Sequence, residues 1–497
     1  MKLRYLALLL PAIASADVRL PAIISDHMVL QREAAAPLWG WADPGESVTV
    51  TMAGQTQTAT ADAAGKWMVK LTDLPVGDPA TLTVAGKNTL EIKDVLVGEV
   101  WLGSGQSNMA MTVNRAKDYE QEQAAANLPK IRQFKEASSY AKEPQTECHG
   151  TWEICSPESV GGFSATLYFF GRELHRELGV PVGLINSSVG GTPIEAWIDA
   201  SAQRAAEPLK PYLQVMENLR AAAKAPELRV RYEKALAKWE AEKALPRDPQ
   251  KPRSRKPEDP VLMAEKKNNM GGLYNGKIAP LIPYGIRGVT WYQGEANSTP
   301  EKSAYYDELL TLLVTDWRAK WGSELPFAWV QLAGLDRPGA DWSIVREGML
   351  KTLALPGTGM AVAADIGEAN DIHPKNKQEV GKRLSLWALG TVYHKSVPAT
   401  SGPLPVGHEI RSGEIVLRFT HTEGGLKAKG DTLTGFSIAG EDGQWKPAQA
   451  RIEGETVIVS HPEITGPKAA RYSWEGFSDA NLCNGAGLPA SPFRTDS

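Results

Sequence analysis

The stretch Gly98-Glu99-Val100-Trp101-Leu102-Gly103-Ser104-Gly105-Gln106-Ser107-Asn108-Met109 joins an apolar run to a small glycine-rich corner and a serine. The apolar run begins at Val95 and the residues after the serine can open a helix, so the stretch predicts a strand, a tight turn and a helix. Backbone N–H groups at the start of a helix are unpaired and favour negative charge, which the tetrahedral intermediate of acyl transfer carries. Ser107 is therefore a candidate nucleophile, with a helix-capping serine as the alternative.

Four further apolar runs follow Ser107, at residues 180–186, 285–292, 327–332 and 360–366. Helix-prone segments separate them, including residues 165–178. This pattern predicts an α/β fold in which helices cover both faces of a parallel sheet. Ligands of such sheets bind outside the carboxyl ends of the strands, so the glycine- and amide-rich segments after the runs are expected to converge on one edge.

Alternating strand patterns flank this region on both sides. Residues 48–52 and 80–84 alternate before it, and residues 414–419 and 456–460 alternate after it. In a chain of 497 residues we therefore expect a three-layer αβα domain over 95–396, an N-terminal β-sandwich domain over 17–94 and a C-terminal, sandwich-like β-domain over 397–497.

A polar, helix-prone insertion at about residues 200–262 interrupts the central domain. Residues 228–245 are rich in Ala, Glu and Lys, and a proline-punctuated charge run follows at 246–257. The pattern is typical of a solvated helix followed by a linker.

The first 16 residues have the pattern of a secretory signal peptide. A basic start, Met1-Lys2-Leu3-Arg4, precedes an apolar stretch at residues 5–13 and the small residues Ala14-Ser15-Ala16. We expect a mature chain that begins near Asp17 and is exported to the periplasm or the extracellular space. The apolar stretch is shorter than the roughly 20 residues of a membrane span, and no later stretch is long and apolar enough, so no membrane span is predicted.

Composition excludes several classes of partner and cofactor. The 54 Lys and Arg residues nearly balance the 58 Asp and Glu residues, so no basic surface for nucleic acid is indicated. Three cysteines are too few for a disulfide scaffold, although Cys148 and Cys155 are close enough in sequence to pair. The eight histidines are scattered without metal-ligand spacing, and the glycines near Ser107 lack the third glycine of a dinucleotide fingerprint. We predict neither a metal nor a cofactor.

A base for Ser107 is offered by Asp365-Ile366-Gly367-Glu368-Ala369-Asn370-Asp371-Ile372-His373-Pro374, which directly follows the last apolar run. His373 thus belongs to the same edge of the sheet as Ser107, and Pro374 places it just before a helix. Asp371 can accept a hydrogen bond from the second imidazole nitrogen and so orient the ring. A surface-loop histidine is the alternative, and the shared edge with Ser107 favours catalysis.

Four sequence blocks resemble the sialate O-acetylesterase family of SGNH hydrolases. The blocks are Gly105-Gln106-Ser107-Asn108-Met109, Gly190-Gly191-Thr192-Pro193-Ile194-Glu195-Ala196-Trp197, Trp291-Tyr292-Gln293-Gly294-Glu295-Ala296-Asn297 and Asp371-Ile372-His373-Pro374-Lys375-Asn376-Lys377-Gln378. The resemblance covers residues 18–496 except the helical insertion, and four blocks in this order are specific for the family. It implies the three-layer, flavodoxin-like SGNH fold and an esterase, without a cofactor, that removes acetyl groups from sugar hydroxyls.

The resemblance also implies roles for single residues. Ser107 is the nucleophile and His373 the base. The second block supplies a backbone N–H to the oxyanion hole, from Gly190 or, as the second choice, Gly191. The third block supplies a side-chain amide, from Gln293 or Asn297. Gln293 is favoured because it lies nearer to the end of the strand.

The acid of the triad is open. The wider superfamily has its acid three residues before the histidine, where this chain has Asn370. Asp371 can take the role with a different geometry, Asp365 can reach in, or a backbone carbonyl can steady a Ser–His dyad.

The substrate implied by the resemblance is an O-acetylated carbohydrate. Trp197, Trp291 and Tyr292 either stack on sugar rings or pack the edge of the sheet, and Glu295 either holds a sugar hydroxyl or braces its turn. O-acetylated sialic acid is the favoured substrate, although no arginine pair can be placed beside Ser107 for its carboxylate. The alternatives are acetylxylan or another acetylated polysaccharide, and a carbohydrate-binding protein without catalysis.

Overall fold

The structure is a computed structural model that describes residues 17–246, 254–262 and 270–496. The predicted signal peptide and residues 247–253 of the charge run lie outside the described residues. The helices are α1 (Ser107–Ala110), α2 (Tyr119–Ala124), α3 (Ala165–Leu178), α4 (Ala200–Ala205), α5 (Lys210–Ala223), α6 (Pro226–Ala244), α7 (Pro300–Ser303), α8 (Tyr306–Trp321), α9 (Trp342–Lys351) and α10 (Lys377–Trp387).

The strands before residue 300 are β1 (Val29–Gln31), β2 (Ala36–Trp41), β3 (Ser47–Met52), β4 (Gln55–Thr60), β5 (Lys66–Leu71), β6 (Ala80–Ala85), β7 (Thr89–Gly105), β8 (Ile131–Glu136), β9 (Gly150–Ile154), β10 (Val182–Ser188) and β11 (Gly288–Tyr292). The later strands are β12 (Phe327–Val330), β13 (Thr358–Ala361), β14 (Leu404–Arg411), β15 (Glu414–Thr420), β16 (Leu426–Ala428), β17 (Phe436–Ala439), β18 (Trp445–Pro447), β19 (Gln449–Glu453), β20 (Thr456–Ser460), β21 (Ala469–Tyr472), β22 (Leu482–Asn484) and β23 (Phe493–Arg494).

A parallel sheet lies at the centre of the molecule. Its strands follow the order β13-β12-β11-β7-β10-β8, and β9 joins the β8 edge in the antiparallel direction. The first strand of this sheet in chain order is β7. The next two, β8 and β10, lie on one side of β7, and the last three, β11, β12 and β13, lie on the other side. The direction of sheet growth therefore reverses beside β7, where the loops at the carboxyl ends separate and leave a crevice. Ser107 directly follows β7 and lies at this reversal.

Alternate residues of the central strands face different hydrophobic clusters. Val100 and Leu102 of β7 belong to a cluster that contains apolar residues of α8 and α9. Trp101, between them, belongs to a second cluster with apolar residues of α3 and α10. The prediction that helices cover both faces of a mixed α/β domain is confirmed, because the period of two along a strand places successive side chains on opposite faces.

Strand β7 continues from the N-terminal strands into the central sheet. Its first half pairs with β6 and β1, and its second half pairs with β10 and β11. The remaining N-terminal strands form the pairs β3–β4 and β3–β6 and a separate two-stranded sheet, β2–β5. Because β7 crosses the predicted boundary between residues 94 and 95, the N-terminal strands are attached to the central sheet by a shared strand rather than by a linker.

The C-terminal strands form their own hydrophobic core. Four-stranded sheets with the orders β14-β15-β20-β19 and β18-β17-β21-β23 both contribute to it, through residues such as Leu417 and Ile438. The strands β16 and β22 form a separate pair. The sandwich arrangement of the two flanking regions, and the division of the chain into domains, stay predictions.

The insertion is helical, with α4, α5 and α6 in sequence. Helix α5 buries Tyr212 and Met216, whereas α6 has no buried residue, in line with the solvated helix predicted there. None of the helices in the described residues combines the length and the apolar character that crossing a bilayer requires.

The three cysteines are free and buried. Cys148 lies in the hydrophobic cluster on one face of the sheet and Cys155 in the cluster on the other. The Cys148–Cys155 pairing that the sequence left open is therefore not formed, because the sheet separates the two side chains.

Candidate active site

Ser107 begins helix α1 directly after strand β7, in the turn that the sequence predicted. Gly105 has a φ of +129°, and a Cβ atom on it would lie 2.3 Å from the carbonyl oxygen of Tyr292. The N–H of Gln106 donates a hydrogen bond of 2.9 Å to that same oxygen. The turn thus requires glycine, since its backbone packs directly on the end of the neighbouring strand β11. Ser107 is half-buried and faces a cavity.

Gly190 follows strand β10 and packs against Ser107. A Cβ atom on Gly190 would lie 3.4 Å from the Cβ of Ser107. Gly191, with a φ of +70°, borders the same cavity in open space. The backbone hydrogen bonds of the described residues include none donated by the N–H groups of Ser107 or Gly190. Both N–H groups are therefore free to bind a ligand beside the Ser107 hydroxyl.

His373 reaches the same cavity from the segment after β13, although β13 lies three strands away from β7. Asp371 Oδ1 accepts a hydrogen bond of 2.9 Å from the backbone N–H of His373 and lies 4.0 Å from its Nδ1. The side chains of Ser107 and His373 line one cavity, and the hydrogen bonds of the described residues include none between them.

The imidazole of His373 favours its neutral form. Burial, followed by the positive charge of Arg115, lowers the pKa of His373 below its ordinary value of 6.5. Lys377 acts in the same direction, and the Asp371 carboxylate opposes the shift. At neutral pH the ring can accept a proton, as a general base must.

Asp365, the alternative acid, is bound elsewhere. Its carboxylate accepts two hydrogen bonds from Arg383, at 2.6 and 2.9 Å, and one from Lys429 at 2.9 Å. Burial favours the protonated form, but these cations outweigh it and hold the pKa of Asp365 below its usual value. Both oxygens are committed to cations, so the structure removes Asp365 from the candidates for the triad acid.

The two candidate amides of the third block lie behind the cavity wall. Gln293 is fully buried and its Nε2 donates to Asn297 Oδ1 at 2.7 Å and to the carbonyl of Thr192 at 3.2 Å. Asn297 is also fully buried, and its Nδ2 donates to Glu195 at 2.9 Å. These bonds brace the loops after β10 and β11 against each other. Neither amide faces the cavity, in contrast to the sequence expectation.

Glu295 braces its turn, which is one of the two roles open to it. Its two oxygens accept hydrogen bonds from the amides of Gln106 at 2.7 Å and Asn108 at 2.5 Å. Burial raises the pKa of Glu295 to about 7, against the Asn108 hydrogen bond and the charge of Lys377. Glu295 also borders the cavity, so its contact with a sugar hydroxyl stays a prediction.

The three aromatic residues considered for sugar stacking pack in the core. Trp291 and Trp197 have no exposed surface, and their rings meet edge to face with centroids 6.0 Å apart. Tyr292 is 1% exposed. The expected contact of Trp291 with substrate is corrected, because strand β11 turns this side chain into the hydrophobic cluster shared with α8.

The cavity has a volume of about 1030 Å³ and opens at the carboxyl edge of the sheet. Ser107, Gly190, Gly191 and His373 contribute its polar floor. The helical insertion contributes an apolar wall, formed by Leu219, Ala222, Ala223 and Leu228. Arg337 also lines the cavity, and its exposed guanidinium forms no ion pair with any residue the structure describes.

The sequence patterns point to none of Asn108, Lys377 and Arg337 as functional, although all three lie at the site. Asn108 and Lys377 lie in the first and fourth of the family-like blocks, close in sequence to Ser107 and His373. That position could have indicated a role at the site. Arg337 follows β12 in a loop without a motif. Among the residues with described placement, no cluster of three or more His, Cys, Asp or Glu side chains could hold a metal ion.

The fold and the motifs agree with a known family. The family described as "Carbohydrate esterase, sialic acid-specific acetylesterase" matches residues 97–232 and 273–388, which together include the Ser107 turn, Gly190 and the His373 loop. The chain belongs to this family. As a member of the sialic acid-specific acetylesterases it is a carboxylic ester hydrolase that acts on acetylated carbohydrate.

Individual relatives match nearly the whole esterase. It is 30% identical to a sialate O-acetylesterase from Rattus norvegicus, over 97% of this chain and 94% of the relative. It is 29% identical to a sialate O-acetylesterase from Homo sapiens, over 98% of this chain and 95% of the relative. A crystal structure of a carbohydrate acetylesterase from Xanthomonas citri is similar with a TM-score of 0.82 and 37% identity, covering 97% of this chain and all of that one.

Proposed function

We propose that this esterase removes O-acetyl groups from sugar hydroxyls with Ser107 as nucleophile and His373 as general base. The observation that carries the proposal is the convergence of Ser107, Gly190 and His373 on one cavity from three separate strand ends. Free N–H groups beside a hydroxyl, and a neutral imidazole on the same wall, are the parts that acyl transfer through a covalent intermediate needs.

The residues define a two-step reaction. Ser107 Oγ attacks the acetyl carbonyl carbon while His373 removes the hydroxyl proton. The carbonyl oxygen becomes negative and accepts hydrogen bonds from the N–H groups of Ser107 and Gly190. His373 then returns the proton to the leaving sugar oxygen. In the second step His373 deprotonates a water molecule that attacks the acetyl-Ser107 ester. The bond from the acetyl carbon to Ser107 Oγ then breaks, His373 returns the proton to Oγ, and acetate leaves.

Proton transfer needs the Ser107 hydroxyl and the His373 imidazole within hydrogen-bonding distance of each other. No hydrogen bond joins Ser107 Oγ to His373 in the described residues, and hydrogen bonds of catalytic groups often tighten only when substrate is bound. Ser107 and His373 both line the cavity in which the substrate would bind.

Asp371 is the acid that we assign to His373. It is the carboxylate that raises the pKa of this imidazole, and its contact with the backbone N–H of His373 fixes its position. At 4.0 Å from Nδ1 and with 44% of its side chain exposed, it supports the ring more weakly than a buried acid at hydrogen-bonding distance would.

O-acetylated sialic acid is the substrate that we favour. Sialic acids carry a carboxylate, and Arg337 offers an unpaired guanidinium on the cavity wall. The sialate O-acetylesterase relatives support the same assignment. A neutral acetylated polysaccharide such as acetylxylan would make no use of this charge.

The replacement Ser107→Ala tests the mechanism. We expect acetate release from an aryl acetate and from acetylated sialic acid to fall by several orders of magnitude. The wild-type enzyme, and not the variant, should be labelled covalently by a fluorophosphonate. Wild-type turnover by Ser107→Ala would contradict the assignment of the nucleophile.

We also propose that residues 1–16 direct export of the esterase and are then removed. The basic, apolar and small-residue regions of this segment support the proposal. Fractionation of the producing cells, with sequencing of the mature N-terminus, tests it. A cytoplasmic enzyme that retains Met1–Arg4 would contradict it.

A further inference from the structure

The side chain of Asn108 connects the Ser107 turn to the His373 loop. Asn108 directly follows Ser107 and is 1% exposed. Its Nδ2 donates to the backbone carbonyl of Ile372 at 2.8 Å and to Glu295 Oε1 at 2.5 Å. The residue next to the nucleophile therefore holds the residue that precedes the histidine.

The side-chain nitrogen of Lys377 makes a second connection. Lys377 is fully buried at the start of α10. Its Nζ donates to Asn108 Oδ1 at 2.6 Å and to the backbone carbonyl of Pro374 at 2.8 Å. The carbonyls on both sides of His373, those of Ile372 and Pro374, are thus held by Asn108 and Lys377.

Sheet pairing cannot fix the distance between Ser107 and His373. The strand before His373 is β13, at the edge of the parallel sheet, and the strand before Ser107 is β7, with β12 and β11 between them. The segment from Val362 to Asn376 has to reach back across these strands. Hydrogen bonds from Asn108 and Lys377 are the direct polar contacts described between the Ser107 turn and the residues next to His373.

We propose that Asn108 and Lys377 are positioning residues that hold the His373 loop beside the Ser107 turn. The inference rests on the proposed function. Asn108 contacts neither substrate nor the reacting atoms in this role, and acts through the backbone on either side of His373. Glu295 completes the arrangement, because its two carboxyl oxygens hold Asn108 and Gln106 on both sides of Ser107.

Asn108→Ala and Lys377→Met test the proposal in the full-length enzyme. We expect each to lower kcat on an aryl acetate about 10- to 100-fold, because misplacing a catalytic group by about 1 Å costs a factor of this order. KM should stay within about threefold of wild type, since neither side chain holds the substrate. The double variant should be no slower than the slower single variant, because both changes release the same loop.

A buried lysine elsewhere in the central domain provides the matched control. Lys277 is 3% exposed, donates to the carbonyls of Glu136 and Ser138 at 3.0 Å, and forms an ion pair with the Glu136 carboxylate. Lys277→Met should lower the melting temperature as Lys377→Met does and leave kcat of the folded enzyme unchanged. An equal loss of kcat in both lysine variants would overturn the positioning role.

The decisive measurement repeats the substitutions in the His373→Ala enzyme. If Asn108 and Lys377 act through His373, they should not lower the residual hydrolysis of that enzyme any further. A further loss of the same size as in wild type would show that they act in another way. Should Lys377→Met fail to fold, Asn108→Ser, which keeps a small polar side chain, provides the same comparison.

The outcomes separate this inference from the proposed function. Wild-type turnover by Ser107→Ala would remove the mechanism on which the inference rests. An inactive Ser107→Ala enzyme together with wild-type kcat in Asn108→Ala and Lys377→Met would leave the mechanism standing and refute the positioning role.

Discussion

The carboxylate of Asp371 accepts a hydrogen bond of 2.9 Å from the backbone N–H of His373, whereas the same oxygen lies 4.0 Å from His373 Nδ1. The acid thus holds the backbone of the histidine more closely than its ring. A half-exposed carboxylate in this position gives the imidazole weaker electrostatic support than a buried one at hydrogen-bonding distance.

For Asp371→Asn we expect a loss of kcat/KM of about 10-fold, far below the roughly 10⁴-fold loss seen when a buried triad acid is replaced. The substitution removes the charge that raises the pKa of His373, so the pKa should fall further and the acid limb of the pH profile should move to lower pH. A pH series of kcat/KM measures both. If Asp371→Asn keeps wild-type activity and an unchanged acid limb of the pH profile, a Ser–His dyad without a carboxylate is favoured.

Arg115→Gln should move the acid limb in the opposite direction. The positive charge of Arg115 lowers the pKa of His373, so its removal raises that pKa and the base form is lost at a higher pH. The shift should shrink as salt is added, because Arg115 is exposed. Lys117→Gln is the matched control, since the Lys117 ammonium pairs with Asp118. An identical shift in both variants would refute a specific effect of Arg115.

Gly105→Ala should destabilise the enzyme by at least about 3 kcal/mol, through both the left-handed backbone and the clash with the carbonyl of Tyr292. Gly162→Ala should change stability by less than about 0.5 kcal/mol, because a Cβ atom there meets nothing within 4 Å. Thermal or denaturant unfolding of the two variants makes the comparison. Equal free energies of unfolding for the two variants would show that the turn before Ser107 can accommodate a side chain at residue 105.

Arg337→Gln should raise KM for O-acetylated sialic acid about 10-fold or more, the size of effect expected for a hydrogen bond to a charged group. KM for an aryl acetate and for the methyl ester of the same acetylated sialic acid should stay unchanged, because neither carries the carboxylate. Equal increases for the acid and its methyl ester would rule out recognition of the carboxylate by this residue.

Local patterns in the sequence were enough to predict several elements. The helix predicted over residues 165–178 is α3, and the strand predicted over residues 456–460 is β20. The apolar run that ends before Ser107 lies in β7. These segments could be predicted because each combines a clear hydrophobic period with local start or stop residues, and neither signal depends on distant partners.

Strand β8 was not predicted, although it belongs to the central sheet. Its sequence contains Arg132, Gln133 and Glu136, which are polar but buried. Arg132 pairs with Asp94, Gln133 accepts a hydrogen bond from the N–H of Ser164, and Glu136 pairs with Lys277. Hydrophobic periodicity does not reveal such a strand, because the groups that compensate its buried charges lie elsewhere in the chain.

The sequence by itself determined the alternation of strands and helices, the glycine turn before Ser107 and the blocks that identify the family, since all of these are written in neighbouring residues. Only the tertiary structure decided that Asp365 is bound by Arg383 and Lys429, that Trp291 is buried and that Glu295 braces the Ser107 turn. The physical reason is that the role of a polar or aromatic side chain depends on which distant groups meet it, and the folding of the whole chain selects those groups.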